Sequence, residues 1–508
     1  MAELKIKGLS ATSASGKLPG NIPKQSAFTP EEYEDFDAKL RYETEIALHW
    51  GTAQRYQKMV PPMIGCEIES FLIDDNGMPL PEAANFLEYF SGDNGYYKMA
   101  KFNAEFEIDP RKMEEDVFSQ FYDSLENNHR HTSRCADLTG GRVITIGILP
   151  TLMMEHFGED MITDRLHFRT LAEQLSKMNK NKAFRINIGH GDGIVFDADN
   201  LSIEGASTSL QVHLTVNENE SAAVYNAAQV ASAITVGVGA NAPFLMGRQL
   251  WAETRVPLFE QIMYERFISD APDEVLSFGR RCDHIFGEQY LDKTILELIA
   301  DNHQKMRAVL PIVREHKPEE MKHLILHNRD ILRWNRPVAG FYQGKPFLRI
   351  EHRAMSSGPT VVDMVANMAL FVGLVHYLKN AFKDGAASVN EQLPFEMVRN
   401  NFYQAARDGM DADIVWLGGR RVKLKQLMLD EIIKYAWRGL RSCGVSEGEC
   451  KKWLDEIIMA RVLTGQNGSV WQRHYVANNN DGENTMRKMT EAYWQLQEGG
   501  TPVHTWQI

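Results

Sequence analysis

The stretch MIGCEIESFLID, residues 63–74, decides the fold, because it has the composition of a buried strand and yet carries two acids. Its residues are mostly apolar, and the turn-forming sequence DNG follows at residues 75–77. Side chains alternate between the two faces of a strand, so Glu67 and Glu69 point the same way. Two like charges side by side in a core segment repel each other. The stretch therefore predicts a strand with one apolar face and one acidic face that needs a counter-charge.

The same design returns in three later segments. NAEFEIDP (residues 103–110), LQVHL (210–214) and LRIEHRA (348–354) each alternate apolar residues with polar ones of a restricted kind. On these polar faces there are carboxylates, guanidiniums, one imidazole and one amide, but no lysine. The residues that share a face within their own segments are Glu105 with Glu107, Gln211 with His213, and Arg349 with Glu351 and Arg353. If the four strands join one sheet, all of these groups meet on one surface.

Such a surface favours metal-assisted phosphoryl transfer from a nucleotide. Clustered carboxylates raise one another's pKa unless a cation compensates them, and Mg²⁺ prefers carboxylate oxygens while keeping positions for water and phosphates. Arginines bind phosphate or carboxylate through two hydrogen bonds at once. The alternative is a solvated outer face with ordinary cross-strand Glu–Arg pairs. The missing lysines and the fourfold recurrence favour the metal site.

Composition and charge narrow the class of protein. The chain has 508 residues, 44% hydrophobic and 24% charged, and a net charge of −13. This acidic balance disfavours nucleic-acid and anionic-membrane partners. The five cysteines form no CxxC motif, which is typical of reduced thiols. The most apolar stretch, residues 361–380, carries Asp363, Asn367 and His376 and predicts a buried helix. We expect a cytoplasmic protein with no membrane or nucleic-acid partner, and the oligomeric state stays open.

The order of elements predicts an α+β fold. Residues 1–27 are polar and predict a flexible tail, and a capped helix begins after Thr29. Strands alternate with helices up to about residue 385, which includes VITIGIL (143–149) as a strand. We expect residues 28–385 to form the sheet-bearing catalytic domain. Residues 386–508 predict a mostly helical part packed on it.

The ordered motifs resemble the glutamate–cysteine ligases of the second type, a family that includes carboxylate–amine ligases. The matching pieces run from about residue 60 to beyond 425. In order they are GCEIESFLID, AEFEIDP, STSLQVHL, ANAPFLMGRQLWAETR, FLRIEHRAMSSGPTVVDMVANMAL and NNFYQAARDGMDADIVWLGGRRV. The resemblance implies a curved, mostly antiparallel sheet akin to glutamine synthetase, flanked by helices, with the active site on its concave face.

The resemblance also implies a reaction and its cofactors. ATP phosphorylates the γ-carboxylate of glutamate, and the amino group of an acceptor attacks the acyl phosphate to form an amide. ATP and Mg²⁺ are the implied cofactors, with Mn²⁺ as a substitute. Cysteine is the expected acceptor, as in γ-glutamylcysteine synthesis for glutathione-type thiols. Another acceptor amine, a phosphagen-type guanidino kinase and a non-catalytic nucleotide-binding protein are the alternatives.

Site residues follow from the resemblance position by position. The expected metal ligands and their neighbours on the central strand are Glu67, Glu69, Glu105, Glu107, Glu351, Gln211 and His213. Arg353 matches the arginine that contacts ATP and steadies the transferring phosphoryl group, so it is expected to be catalytic together with Glu351. Asn241 and Arg255 are expected to bind substrate. Arg349 is expected either to do the same or to pair with a neighbouring acid.

Two departures from the family pattern bear on the acceptor. Gln211 stands where many carboxylate–amine ligases have histidine, and Ala242 replaces the usual serine. The Glu-Ile-Glu and Arg-Ile-Glu-His-Arg motifs are intact, so we expect a working ATP and metal site. The departures leave the identity of the acceptor amine open.

Overall fold

The computed structural model describes residues 28–267, 283–312, 315–479 and 481–507. Its centre is a curled sheet of antiparallel strands. The strands are β1 (Met63–Ile73), β2 (Gly95–Tyr97), β3 (Asn103–Lys112), β4 (Arg142–Ile144), β5 (Phe184–Ile188), β6 (Ile194–Ala198), β7 (Ser209–Val216), β8 (Phe244–Leu245), β9 (Arg248–Gln249), β10 (Asn335–Tyr342), β11 (Lys345–Ser356), β12 (Asp413–Trp416) and β13 (Arg420–Lys423).

The main sheet has the strand order β10-β11-β7-β1-β3-β2, and β4 pairs with β1 beside this path. All of its pairings are antiparallel. The strands β5–β6, β8–β9 and β12–β13 form separate two-stranded pairs. The strand that carries Glu67 and Glu69 therefore lies in the middle of the sheet.

Helices flank the sheet and make up most of the C-terminal part. They are α1 (Pro30–Thr52), α2 (Ala83–Phe90), α3 (Val117–Leu138), α4 (Leu166–Met178), α5 (Ser221–Gly239), α6 (Arg255–Phe267), α7 (Asp283–Phe286), α8 (Leu296–Lys305), α9 (Lys322–Asp330), α10 (Val361–Ala381), α11 (Ala386–Gln392), α12 (Phe395–Asp408), α13 (Leu424–Leu427), α14 (Ile433–Ser442), α15 (Glu447–Cys450), α16 (Ala460–Thr464), α17 (Gly468–Asn478) and α18 (Thr485–Glu498). Two π-helical segments, Met428–Ile432 and Lys451–Met459, join α13 to α14 and α15 to α16.

Alternation along the strands separates an apolar face from a polar one, as the sequence predicts. The apolar side chains of β1, β3, β7 and β11 are buried. The helix α5 contacts β11, and the helix α10 contacts β7. At about 25 cal/mol for each Å² of apolar surface removed from water, such burial is the main stabilising contribution to a sheet of this kind. The predicted α+β class with a curled antiparallel sheet is confirmed.

A tight turn connects the last strand of the sheet to the long helix α10. Gly358 has a φ of +78°, and a Cβ atom there would lie 2.2 Å from the carbonyl oxygen of Thr145. Glycine adopts this conformation without strain, and any residue with a Cβ atom would clash at this distance. The hydroxyl of Thr360 then caps α10 by accepting from the backbone N–H of Asp363. This turn starts α10 directly behind the sheet.

The helix α10 is the one helix in the described ranges that is long and apolar enough to cross a membrane. Its most apolar window is 89% buried inside the protein. The side chain of Asp363 pairs with Arg461 at 2.8 Å, and Asn367 accepts a hydrogen bond from the same guanidinium. The predicted buried helix is confirmed.

Some elements differ from the sequence prediction. The strand β4 ends at Ile144 instead of residue 149, because Thr145 leaves the sheet and binds Gln497 through its backbone N–H. The sequence analysis did not predict β10, whose sequence NRPVAGFY contains Pro337 and Gly340. Proline is restricted to sheet edges, and β10 is indeed an edge strand.

The C-terminal part is mostly helical, as predicted, but it also contains the unpredicted hairpin β12–β13. Its helices bind the sheet-bearing part closely, since Tyr493 donates to the carbonyl of Thr145 at 3.0 Å and Gln497 donates to the same carbonyl at 2.9 Å. The division into residues 28–385 and 386–508 stays a prediction. The predicted tail, residues 1–27, lies outside the described residues.

Candidate active site

The strand register brings the predicted carboxylates, Gln211 and His213 onto one surface. The cross-strand neighbours are Glu67 with Glu107 and Gln211, Glu69 with Glu105, and His213 with Glu351. The side chains of this set are at most 7% exposed, which excludes the alternative of a solvated outer face. We call this set, together with Arg349 and Arg353, the polar surface.

Lys98, which lies just before β3, supplies the counter-charge for two of the carboxylates. Its Nζ donates to Glu69 Oε1 at 2.6 Å and to Glu105 Oε2 at 2.9 Å. The second oxygen of Glu69 accepts from the backbone N–H and the hydroxyl of Ser209, at 2.7 and 3.1 Å. Burial alone would raise the pKa of Glu69, but Lys98 and Arg353 outweigh it and lower that pKa. Lys98 therefore offsets part of the negative charge on this half of the polar surface.

Three arginines surround Glu351. Its Oε2 lies 2.7 Å from Arg336 Nη2 and 3.7 Å from Arg349 Nη2, and its Oε1 lies 2.8 Å from Arg353 Nη1. Burial alone would raise the pKa of Glu351, but Arg336 and Arg353 hold it well below its usual range. Arg353 also donates to Gln211 Oε1 at 2.8 Å. Glu351 therefore fixes a group of guanidiniums that can bind phosphate oxygens.

At Glu67 the positive charge of Arg349 does not outweigh burial and the neighbouring acids. Its Oε1 accepts no hydrogen bond from the described residues, and its ion-pair contact is with His213 Nε2 at 3.2 Å. Burial raises the pKa of Glu67 well above its usual value, and the carboxylates of Glu105, Glu351 and Glu107 raise it further. Buried carboxylates are normally paired or bound to a metal ion. The carboxylate oxygens around Glu67 fit the ligand preference of Mg²⁺.

His213 carries its ring proton on the nitrogen that faces the carboxylates. Arg349 donates to its Nδ1, and a guanidinium cannot accept, so the proton of the neutral ring resides on Nε2. Burial and Arg349 hold the pKa of His213 well below its usual value, which keeps the ring neutral. Its Nε2 lies 3.2 Å from Glu67 and 3.6 Å from Glu351. Metal ligation through Nε2 requires Arg349 to release Nδ1, and that predicted role stays a prediction.

Two clefts border the polar surface on either side along the strand direction. The smaller one contains about 310 Å³ of empty space and lies beside Gly65 and the side chains of Glu67 and His213. Its walls are completed by Met63, Cys66, Glu107, Ile108, Pro110, Thr215 and Arg349. It is open on one side and joins apolar walls to the uncompensated carboxylate, a combination that suits a nucleotide whose phosphates reach the acids.

The larger cleft contains about 600 Å³ of empty space and lies beside Lys98 and Arg353. Arg329 Nη2 lies 3.5 Å from His167 Nε2, and Arg329 Nε lies 3.7 Å from Asp330 Oδ1. Burial and Arg329 lower the pKa of His167 to about 3, so its ring is neutral. Since Nε2 faces a guanidinium, Nδ1 carries the proton, and it has no hydrogen-bond partner among the described residues. This cleft can bind a carboxylate and an ammonium group.

The structure places Asn241 away from the polar surface. Its Nδ2 donates to the carbonyl of Ser357 and to the hydroxyl of Tyr493, both at 2.8 Å. Its Oδ1 accepts from Gln472 at 2.9 Å. The amide therefore joins the turn after β11 to the helices α17 and α18. A role for Asn241 in substrate binding stays a prediction.

Arg255 lies behind β11 and is not part of the polar surface either. It donates to the backbone carbonyls of Arg353 and Ala354 at 3.4 and 3.3 Å, and it pairs with Glu253 at 3.3 Å. These contacts support the irregular end of β11, where the pairing with β7 shifts register after His352. Arg255 thus positions the backbone of Arg353, and its predicted substrate contact stays a prediction.

Sequence reasoning missed several residues that complete the site. They are Tyr96, Lys98, His167, Arg329 and Arg336. Arg336 could have been found by its alternation in β10, had that strand been recognised. Tyr96, whose hydroxyl donates to Glu107 Oε2 at 2.9 Å, and Lys98 lie in a short segment read as a loop. No local pattern distinguishes His167 or Arg329 from ordinary helix residues.

Buried carboxylates and arginines on one face of a curled antiparallel sheet define a site for phosphate-dependent, metal-assisted chemistry. The protein is an ATP-dependent carbon–nitrogen ligase of the carboxylate–amine class. Its sequence matches the glutamate–cysteine ligase family 2 over residues 63–490, and the chain belongs to this family. No curated protein matches the sequence.

Several solved structures are similar in overall fold. The glutamate–cysteine ligase of Francisella tularensis in complex with AMP is 9% identical, with 89% of this chain and 96% of that chain covered and a TM-score of 0.49. The bifunctional glutathione synthetase of Pasteurella multocida is 10% identical, with 90% and 55% covered and a TM-score of 0.46. The complex of the prokaryotic ubiquitin-like protein Pup with its ligase PafA is 10% identical, with 87% and 70% covered and a TM-score of 0.37.

Proposed function

We propose that this chain joins the γ-carboxylate of glutamate to an amine through an acyl phosphate, with ATP as the phosphoryl donor and cysteine as the acceptor. The observation that carries the proposal is Glu67, a buried carboxylate without a cationic partner beside arginines that are held in place by Glu351. A buried carboxylate without a cationic partner does not stabilise the folded protein. The repulsion is relieved once a divalent cation and the phosphates of ATP occupy the surface.

The residues that would hold Mg²⁺ are Glu67 and Glu107, which are cross-strand neighbours on β1 and β3, and Glu351, which has a carboxylate oxygen within 4.8 Å of a Glu67 oxygen. When bound, the ion supplies positive charge to the ATP phosphates and orients them for in-line transfer. Glu69 and Glu105 are already paired with Lys98, so we assign them the role of holding that lysine at the edge of the larger cleft.

The proposed reaction has two chemical steps. A γ-carboxylate oxygen of glutamate attacks the terminal phosphorus of ATP, and the bond to the bridging oxygen breaks as ADP leaves. The acceptor nitrogen then attacks the carbonyl carbon, inorganic phosphate leaves, and the nitrogen loses a proton. Arg353 and Arg349 can only donate hydrogen bonds, so they bind and orient the phosphate oxygens. His213 holds its proton on Nε2 between the two carboxylates, and it can donate to the transferring group.

The larger cleft has side chains that suit the binding of amino-acid substrates. The guanidinium of Arg329 and the Nδ1 proton of His167 suit an α-carboxylate, and the carboxylate of Asp330 suits an α-ammonium group. The cleft also has an apolar wall made of Phe168, Leu171, Leu175, Leu201 and Met263. This wall favours, as the second candidate function, the same ligation with an acceptor whose side chain is larger and more apolar than that of cysteine.

The test is mass spectrometry of the products of purified protein with Mg²⁺, ATP and glutamate, with and without cysteine, alongside ADP release. A γ-glutamylcysteine peak that needs every component is the expected result. ADP release without this dipeptide directs the search to apolar amino acids and amines as acceptors. A phosphorylated guanidino product with no amide indicates the kinase alternative. If neither a product nor ADP forms under any of these conditions, the proposal is contradicted.

We expect Arg329→Gln to raise the KM for the amino-acid substrates about 10- to 100-fold while the KM for ATP changes less than about twofold. The reason is that Arg329 lies in the larger cleft, on the side of the polar surface away from the smaller cleft. Steady-state kinetics with each substrate varied in turn provides the measurement. The matched control is Arg185→Gln, which removes a surface ion pair with Asp197 on the hairpin β5–β6. Equal rises in both KM values for Arg329→Gln contradict the assignment.

A further inference from the structure

A second cluster of metal-ligand residues lies outside the polar surface. Glu43 on α1 contacts His316 and His323. His316 lies in the segment before α9, and His323 lies in the first turn of α9. Glu43 Oε1 is 2.8 Å from His316 Nε2 and 2.7 Å from His323 Nδ1. The three side chains are each 2% exposed, and their ligand atoms all lie within 4.8 Å of one another.

The carboxylate of Glu43 is held by the two histidines and by one backbone N–H. In the part of the chain that the structure describes, no lysine or arginine forms an ion pair with Glu43. Burial alone would raise the pKa of Glu43, but the hydrogen bond from His323 and the backbone N–H of Leu324 outweigh it and lower that pKa. The ionised carboxylate at this buried place therefore depends on the histidines or on a cation held with them.

The two imidazoles lie side by side next to the carboxylate of Glu43. Their ring centroids are 4.6 Å apart, and the His323 ring makes a T-shaped contact with Phe36. Two imidazoles and a carboxylate form a His₂Glu donor set, which binds Zn²⁺ with one coordination position left for water.

We propose that Glu43, His316 and His323 form a binding site for a zinc-like divalent transition metal. The bound ion would link α1 to α9 and to the segment before it. The site is independent of the ligase chemistry, because it shares no residue with the polar surface. In a tetrahedral site with bonds of about 2.0 Å, ligand atoms lie about 3.3 Å apart. The nitrogens therefore move away from Glu43 Oε1 by about 0.5 Å when the ion binds. The bond from Leu324 N–H to Glu43 Oε2, at 2.9 Å, fixes the orientation of the carboxylate.

The test uses the full-length protein after treatment with a chelator and dialysis. Cobalt(II) chloride is added first, because tetrahedral cobalt with imidazole ligands has intense visible absorption bands that a carboxylate-only site lacks. Zinc chloride is then used to displace the cobalt, and bound metal is counted by elemental analysis. We expect about one equivalent of tightly bound zinc and a higher melting temperature with zinc than without it.

Variants separate this site from the polar surface. His316→Gln and His323→Gln are each expected to weaken cobalt affinity about 100-fold and to abolish the zinc-dependent rise in melting temperature. Glu67→Gln is expected to leave the cobalt spectrum unchanged. The matched control is His303→Gln, because His303 lies in the same region but pairs with Asp37. A wild-type protein that gives no cobalt bands and retains no zinc overturns the proposal, as does unchanged cobalt affinity in the histidine variants.

Discussion

Replacing Glu67 by glutamine is expected to abolish ligation while it increases the stability of the metal-free protein. We expect kcat/KM to fall about 1000-fold or more, the size of effect seen when a group that stabilises charge in the transition state is removed. We also expect the free energy of unfolding to rise at neutral pH, since burial and the neighbouring carboxylates disfavour the ionised form of Glu67 in the folded protein. Loss of function with a gain in stability is the behaviour of a residue kept for chemistry.

The sign of the stability change follows from the raised pKa of Glu67. Between the ordinary carboxyl pKa and the raised one, the folded protein binds a proton that the unfolded chain has released. The wild-type protein therefore loses stability as the pH rises through this window, and the variant lacks that slope. The gain should be largest at neutral pH and should vanish near pH 4.5, the ordinary value for this carboxyl group.

Denaturant unfolding at several pH values, without added metal, measures this effect. Adding Mg²⁺ should stabilise the wild-type protein more than the variant, because the variant has lost a proposed ligand. The matched control is Glu449→Gln, another buried acid that accepts hydrogen bonds from Ser119 and Trp453 in the C-terminal part. This control should lose stability and keep its activity. A Glu67→Gln protein that is less stable than the wild type at every pH contradicts our account of Glu67.

The alternation of the strands was readable from the sequence because it is a local property. Glu67 and Glu69 must share a face once residues 63–73 are extended, whatever else the fold does. The meeting of four such strands is not local, because β1 and β11 are almost 300 residues apart and no pattern within either strand specifies the other. That step depended on the family resemblance, and the sheet order and register bear it out.

The compensation of charge could not be predicted from the same patterns. The sequence patterns predict a metal ion as the counter-charge for all the carboxylates, whereas Glu69 and Glu105 share the single positive charge of Lys98. Lys98 lies 29 residues from Glu69 and outside any periodic segment, so only the folded backbone brings the two together. Arg336 was not predicted for a different reason. It lies on β10, and Pro337 and Gly340 make the sequence of that strand atypical of a strand. Glu67 differs from Glu69 and Glu351 because burial and like charge raise its pKa, whereas nearby cations lower theirs.

Glu351→Gln is expected to be as inactive as Glu67→Gln but markedly less stable than the wild type. The carboxylate of Glu351 is the buried partner of Arg336 and Arg353, and removing one member of a buried ion pair costs about 3 kcal/mol or more. The two glutamine variants are therefore expected to change stability in opposite directions. This difference distinguishes Glu67, which has no ion pair with an arginine among the described residues, from Glu351, which pairs with Arg336 and Arg353. Both measurements use the same unfolding assay, and Glu449→Gln again serves as the control.

A second substitution tests the cause of this loss. In the Glu351→Gln background, Arg336→Met removes one of the guanidiniums left without its partner, so part of the lost stability should return. Activity should stay absent, because Arg353 no longer has the carboxylate that positions it for the phosphate. If the double variant is instead as unstable as the sum of the two single variants, Glu351 and Arg336 do not act as a pair. If Glu351→Gln alone keeps near-normal activity, the assignment of the polar surface as the site of phosphoryl transfer is wrong.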